Sequence, residues 1–459
     1  MCDAQPVQSP PRPGPRLRVA LLLLAVLPGF ATAIPAWARK YRTSCATCHE
    51  AFPRLTATGE AFRLNGYRFA DDESLRKEEP VEMGDEAYRK VWPDAIWPTT
   101  IAGTAPFGLR ILSDITLDLG GANAWHTSFD APREASLLGG GALGDDLSCF
   151  VAVVFVNDPA RLTTELFGWL QFEDLLGPDN LFNLKLGSVG WQERGLYTAR
   201  PHNRVTRDSY LYTEWTMPAP DSFEVPNGHL LQVEPGLELH GFGSRWRYAL
   251  GVSNGVATTQ DDNDRKNVYS QLAWKIGGLG LDGSDGPSVA AGQAAPAQPW
   301  RDDSLTLSVF GYTGASTVNA TGFAPDARDD KFDRIGVGAR WKWADLALGG
   351  GFIAGRNRNP FGTLDQSSVR SRSYFVEAEY FVFPWLLPNV RYETLDLTLP
   401  DTIPGLDPTQ DRARVILSTR AMVRANVALV VEARLHTRDQ RFSQNNDDNL
   451  FVLQVDFAF

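Results

Sequence analysis

The sequence predicts an all-β membrane fold: an antiparallel transmembrane barrel of about sixteen strands, preceded by a small helical N-terminal segment. Three observations predict it. From about residue 106 onward, apolar and polar residues alternate with a period of two rather than 3.6. On the polar side of long runs, Arg and Glu recur at successive positions, which suits a wet lumen behind a lipid-facing wall. The chain also opens with the pattern of an export leader.

The leader comes first. Arg12, Arg16 and Arg18 precede the apolar run Val19 to Leu27, and the small-residue stretch Ala31-Thr32-Ala33 follows. A charged region, a short apolar region and an A-x-A site form a cleavable signal, expected to be cut after Ala33. The apolar run is about half the length a spanning helix needs. Three regions are therefore expected: a leader over 1–33, a small segment with its linker over 34–100, and a barrel over 101–459.

Cys45-Ala46-Thr47-Cys48-His49 follows the leader. C-x-x-C-H is the attachment signature of a c-type haem. Two thiols three residues apart reach two vinyl groups on one porphyrin edge, and the next residue supplies an iron ligand. Cys45 and Cys48 are thus the expected thioether residues and His49 the proximal ligand of one covalent haem c. A redox dithiol would need a flanking βαβ pattern, and a zinc site two further ligands at suitable spacing. Neither accompanies the motif in sequence. For the second axial position Met83 is the candidate within the segment. A residue of the barrel, a water or an open position are the alternatives; the histidines outside the motif are His126, His202, His229, His240 and His436.

Between Glu50 and Arg68, Phe52, Leu55, Gly59, Phe62 and Phe69 recur near helical spacing, with Pro53 placed for a first turn. Phe52, Leu55, Phe62 and Tyr67 are expected to cover the haem edge. Arg39, Lys40 and Arg42 are candidates to neutralise its propionates, or are simply solvated.

Alternating runs place strands near 106–119, 132–143, 146–156, 162–175, 180–189, 228–242, 244–254, 265–277, 304–314, 331–343, 344–356, 371–383, 385–397, 411–423, 425–437 and 448–459. The number is even, as bacterial single-chain barrels require. With the N-terminal segment in the periplasm, the turns at Asp145-Asp146, Pro178-Asp179, Gly243-Ser244, Ala344-Asp345, Pro384-Trp385 and Arg424-Ala425 all fall on the periplasmic side and are short. Gly190 to Asn227 reads as a long extracellular loop able to fold into the pore, and Gly277 to Asp303 as a long periplasmic connection. Phe451, Leu453, Val455, Phe457 and Phe459 alternate to a terminal aromatic residue, similar to the last-strand signal of bacterial outer-membrane barrels.

The run Ile34-Pro35-Ala36-Trp37-Ala38-Arg39, then Cys45-Ala46-Thr47-Cys48-His49, Phe52-Pro53-Arg54-Leu55, Gly59-Glu60-Ala61-Phe62-Arg63 and Asn65-Gly66-Tyr67 resembles the start of the fused monohaem cytochrome–porins. That family includes the outer-membrane iron oxidases of iron-oxidising bacteria. The detailed likeness covers about the first tenth of the chain; the rest matches in architecture, a generic signal. The resemblance implies haem c, a barrel of about sixteen strands, and electrons passed inward from an extracellular donor such as Fe(II) to a periplasmic cytochrome. It implies an outer-membrane location with the haem in or below the lumen. Cys45, Cys48 and His49 carry over; the acidic linker from Asp71 to Lys90, with Met83, departs from the family pattern.

The formal charge of −11 speaks against nucleic-acid partners. Two other functions compete with a conduit: a passive porin with a structural or regulatory haem, and a haem enzyme or sensor with an open distal position. Asp261-Asp262-Asn263-Asp264, Asp329-Asp330 and Asn446-Asp447-Asp448 are acidic stretches that either gather cations or are plain solvated loops.

Overall fold

The fold is described from a computed structural model. It describes residues 37, 41, 43–51, 54–69, 107–118, 126–142, 146–158, 161–176, 180–190, 196–197, 233–255, 263–286, 298–318, 328–360, 362, 368–398, 409–424, 427–437 and 449–458. The leader, Phe52, Pro53, Met83 and the rest of the linker lie outside these residues, as do Arg39, Lys40 and Arg42.

Sixteen antiparallel strands close into one barrel. In chain order they are β3 (Phe107–Asp118), β4 (His126–Ala142), β5 (Leu147–Asp158), β6 (Arg161–Phe172), β7 (Asn183–Val189), β8 (Glu234–Phe242), β9 (Trp246–Ser253) and β10 (Asn267–Gly277). The second half comprises β11 (Ser304–Val318), β12 (Arg328–Trp343), β13 (Leu346–Asn357), β14 (Val369–Tyr380), β15 (Leu386–Thr398), β16 (Thr409–Arg424), β17 (Val427–His436) and β18 (Leu450–Ala458). Each strand pairs with its sequence neighbours, and β18 closes the cylinder on β3, from Leu450 opposite Asp118 to Ala458 opposite Arg110. Closure matters physically, because an open strand edge in lipid would leave backbone N–H and C=O groups without partners.

The alternation sorts the side chains as the sequence predicts. On β12, Ile335, Val337, Trp341 and Trp343 are exposed on the outer face, Val337 at 53%, while Arg334 points inward and is buried. On β14, Tyr374, Val376 and Tyr380 face out and Glu377 and Glu379 face in. The outer apolar band is a lipid-facing surface, and stacked Trp341–Trp343 and Phe383–Trp385 pairs mark its short-turn rim. No helix among the described residues is long and apolar enough to cross a membrane, which says nothing of spanning strands.

The lumen wall is charged and paired. Asp456 accepts bonds from Arg110 and Arg420, each closing to 3.0 Å or less. Glu393 joins Arg391 and Arg414 at 2.8 and 2.5 Å. Glu238 takes Lys185 at 3.0 Å and the Tyr269 hydroxyl at 2.6 Å. Buried charge persists only where partners replace water.

The N-terminal segment packs inside this wall. It consists of α1 (Cys45–Cys48), β1 (His49–Ala51) paired with β2 (Arg54–Leu55), and α2 (Ala57–Leu64). The helix begins later than the apolar spacing predicts. Thr56 is its N-cap and accepts from the Gly59 N–H, and the described residues before it form a short strand pair.

Two described residues after β7, Leu196 and Tyr197, also lie inside the barrel. Leu196 packs among Val189, Tyr269, Phe310, Ile353 and Phe375, and Tyr197 among Leu64, Phe242 and Leu281.

Candidate functional site: the C-x-x-C-H turn

Cys45 to Cys48 form a single helical turn after Ser44, closed by the Thr47 N–H to the Ser44 carbonyl at 3.1 Å. Side chains three apart in a helix share a face, so the turn presents both thiols on one side. Both cysteines are half-buried and neither is in a disulfide. His49 follows as the first residue of β1, also half-buried.

Local hydrogen bonds lock this turn onto α2. The Thr56 hydroxyl donates to the Thr47 carbonyl at 2.7 Å, and the Thr56 N–H donates to the Cys48 carbonyl at 3.0 Å. A Cβ at Gly59 would overlap that same carbonyl, so only glycine permits the approach. Thr43 and Thr47 hydroxyls meet at 2.6 Å, with Thr47 buried.

An aromatic cluster lies against the motif. Phe62 is its centre, with Trp37 and Tyr41 edge-on at 6.0 and 5.7 Å and Phe69 at 5.0 Å; Cys48 packs on the same cluster. Gly66 and Tyr67 both take positive φ, 68° and 63°, which turns the chain sharply after α2. That turn lays Tyr67 against Trp37 at 4.9 Å and against Phe150 of the barrel wall at 5.4 Å. Of the residues expected to cover the site, Phe62 and Tyr67 join this cluster, and Leu55 sits half-buried on β2.

Burial pushes the Cys48 thiol up to about 12, with the neighbouring Cys45 adding to the effect, and burial also raises Cys45. Redox dithiols work through a lowered thiol pKa, the opposite of this setting. Among the described residues no group of three or more His, Cys, Asp or Glu side chains has a metal-binding arrangement. The donor set fits a c-type haem: two thiols one turn apart outside any disulfide, an adjacent imidazole and apolar rings beside them.

The segment makes charged contacts that sequence reasoning missed. Glu50, next to His49, pairs with Arg54 at 2.9 Å and with Lys342 of β12, and Arg54 pairs with Glu379 of β14. Burial draws the Arg54 guanidinium down to about 10, opposed by the charge of Glu377. In sequence the only trace is opposite charges four apart, which usually marks a solvated surface pair.

Of the other histidines, His240 lies on the inner face of β8, 3.4 Å from Glu238, while His126 and His436 lie at the long-loop ends of β4 and β17. His202, His229 and Met83 fall outside the described residues. One acidic stretch reads differently in place. Asp330 is buried in β12, taken up by Asn357 and by the Asn359 N–H, and Asp329 pairs with Arg265 at 2.8 Å.

No protein-family model matches the chain, and no curated protein matches it. Solved structures do. OmpT of Vibrio cholerae in its trimer form, an outer-membrane protein, aligns over 78% of this chain and 100% of its own, with 10% identity and a TM-score of 0.51. OmpF of Salmonella typhi aligns over 77% and 97%, with 11% identity and a TM-score of 0.47. An anion-selective porin from Comamonas acidovorans aligns over 77% and 98%, with 10% identity and a TM-score of 0.45. The OmpT likeness is one of fold: a porin-type barrel.

Proposed function

We propose that this porin-type barrel is an outer-membrane electron conduit holding one haem c at its periplasmic mouth. The observation that carries the reading is the position of the C-x-x-C-H turn. Its segment is packed inside the lumen near the short-turn ends of β5, β12 and β14. Short turns mark the periplasmic side of such barrels. A haem below the membrane would be cut off from the exterior by an apolar band about 25 Å tall. A site inside the mouth shortens that path.

Cys45 and Cys48 would hold the group through thioethers and His49 through its imidazole. When bound, the group supplies one-electron chemistry at iron. Phe62, Tyr67 and Trp37 exclude water from one side of the site. Met83 remains the proposed distal ligand. The donor is an extracellular reductant such as Fe(II), and the acceptor a periplasmic c-type cytochrome or similar carrier.

The test is a proteoliposome with the native protein inserted and cytochrome c enclosed. External Fe(II) should reduce the enclosed cytochrome, and His49→Ala protein should not support it. Passage of small solutes without electron transfer would instead establish a passive porin.

A further inference from the structure

We propose that Glu50 and Arg54 form an ion clamp that seats the N-terminal segment across the barrel mouth and closes it to porin-type solute flow. The inference does not depend on haem. It rests on how the segment is held.

Both clamp residues are fully desolvated: the Glu50 side chain is 0% exposed and that of Arg54 2%. Their partners come from the wall. Lys342 on β12 reaches Glu50, and Glu379 on β14 reaches Arg54. Arg340 of β12 lies 3.5 Å from Glu379 and 3.9 Å from Glu50, so one wall cation faces both carboxylates. Two acids and three bases thus meet in one cluster, in which Glu50, Arg54 and Glu379 are buried and Lys342 and Arg340 half-buried. Ions in such a setting are stable only while every partner stays in place.

The same short segment is anchored on the far wall. Tyr67 stacks on Phe150 of β5. Around the closed barrel, β5 and β14 are nine strand steps apart one way and seven the other, so they face each other across the lumen. Between them the Asn65 amide donates to the Asp282 carbonyl at 3.1 Å, in the connection after β10. The Tyr197 hydroxyl donates to Glu60 at 3.2 Å. The segment therefore spans the mouth from wall to wall, and Tyr197 holds it from within. A porin needs an open aqueous path at this level.

Glu50 directly follows His49, so the clamp also fixes the strand that carries the imidazole.

The experiment uses the full chain in planar bilayers, with native protein, Glu50→Gln and Glu379→Gln compared. Native protein should conduct far below porin level. Each variant leaves a buried cation short of a partner and should raise the open fraction about tenfold or more. Limited trypsin digestion gives a second readout: cleavage after Arg63 and Arg68 should be slow in native protein and faster in both variants. Heat-modifiable gel migration verifies that each barrel is folded. Porin-level conductance of native protein would overturn the proposal. So would folded variants that conduct and resist trypsin as the native protein does.

Discussion

Glu173, just past the end of β6, carries a pH dependence of its own. Its carboxylate is buried and accepts bonds from the Ser148 hydroxyl at 3.0 Å and the Gln171 amide at 2.8 Å. Burial dominates these bonds and pushes the group from the usual 4.5 to about 7. A raised carboxyl pKa means the folded state binds the proton more tightly than the unfolded one. Its stabilisation is complete below about pH 4.5 and is lost as pH rises through about 7. At about 1.4 kcal/mol per pH unit, the loss is on the order of 3 kcal/mol. Glu173→Gln keeps the acceptor oxygen and removes the charge. Thermal unfolding in detergent should show the variant more stable than native protein at pH 8 and equal to it at pH 4. Equal stability at both pH values would refute the burial argument. Sequence spacing alone singles out Cys45, Cys48 and His49 as candidates, because attachment chemistry would fix their separation along the chain. It does not identify Glu173 or the Glu50–Arg54 pair, whose partners Ser148, Lys342 and Glu379 are distant in sequence and meet them only after the barrel closes.

At the scale of elements, α2 and the C-x-x-C-H turn behave as one unit. They are joined through Thr56 and by the close approach at Gly59. Gly59→Ala must push the helix off the Cys48 carbonyl, an overpacking cost of about 1–3 kcal/mol. The expected result is faster trypsin cleavage after Arg63 with unchanged heat-modifiable migration of the barrel. An unchanged cleavage rate would mean the helix does not bear on the turn. The strands are legible in advance because a two-sided environment, lipid outside and water inside, writes a strict period of two. The run expected at 331–343 lies within Arg328–Trp343, and that at 385–397 overlaps Leu386–Thr398 almost entirely. The largest strand misses are two starts off by six residues: β4 begins at His126 rather than near 132, because His126 to Arg133 lack a clean alternation, and β8 begins at Glu234 rather than near 228. The helix boundary also escapes. Phe52 and Leu55 mimic helical spacing, yet the Thr56 cap and the β1–β2 pairing win locally.

For the whole molecule, the barrel and the N-terminal segment solve different problems. The barrel satisfies every strand edge and turns an apolar face to lipid. Its inner wall carries paired charge on β15, β16 and β18 and an apolar patch where Leu196 packs. The segment and the loop residues Leu196 and Tyr197 occupy part of that space. Strand parity foretells which side chains face inward and which end carries the short turns. It says nothing of what fills the lumen, since one aromatic contact or ion pair there joins residues far apart in sequence. The central claim is a c-type haem on Cys45 and Cys48 within a folded membrane barrel. The most direct measurement is a haem-stained denaturing gel of protein purified with detergent from outer membranes of a host competent in cytochrome c maturation. The account predicts a stained band that keeps its haem through boiling and loses the stain in the Cys45→Ser, Cys48→Ser double variant. A folded, heat-modifiable barrel that comes out of such a host colourless would contradict it.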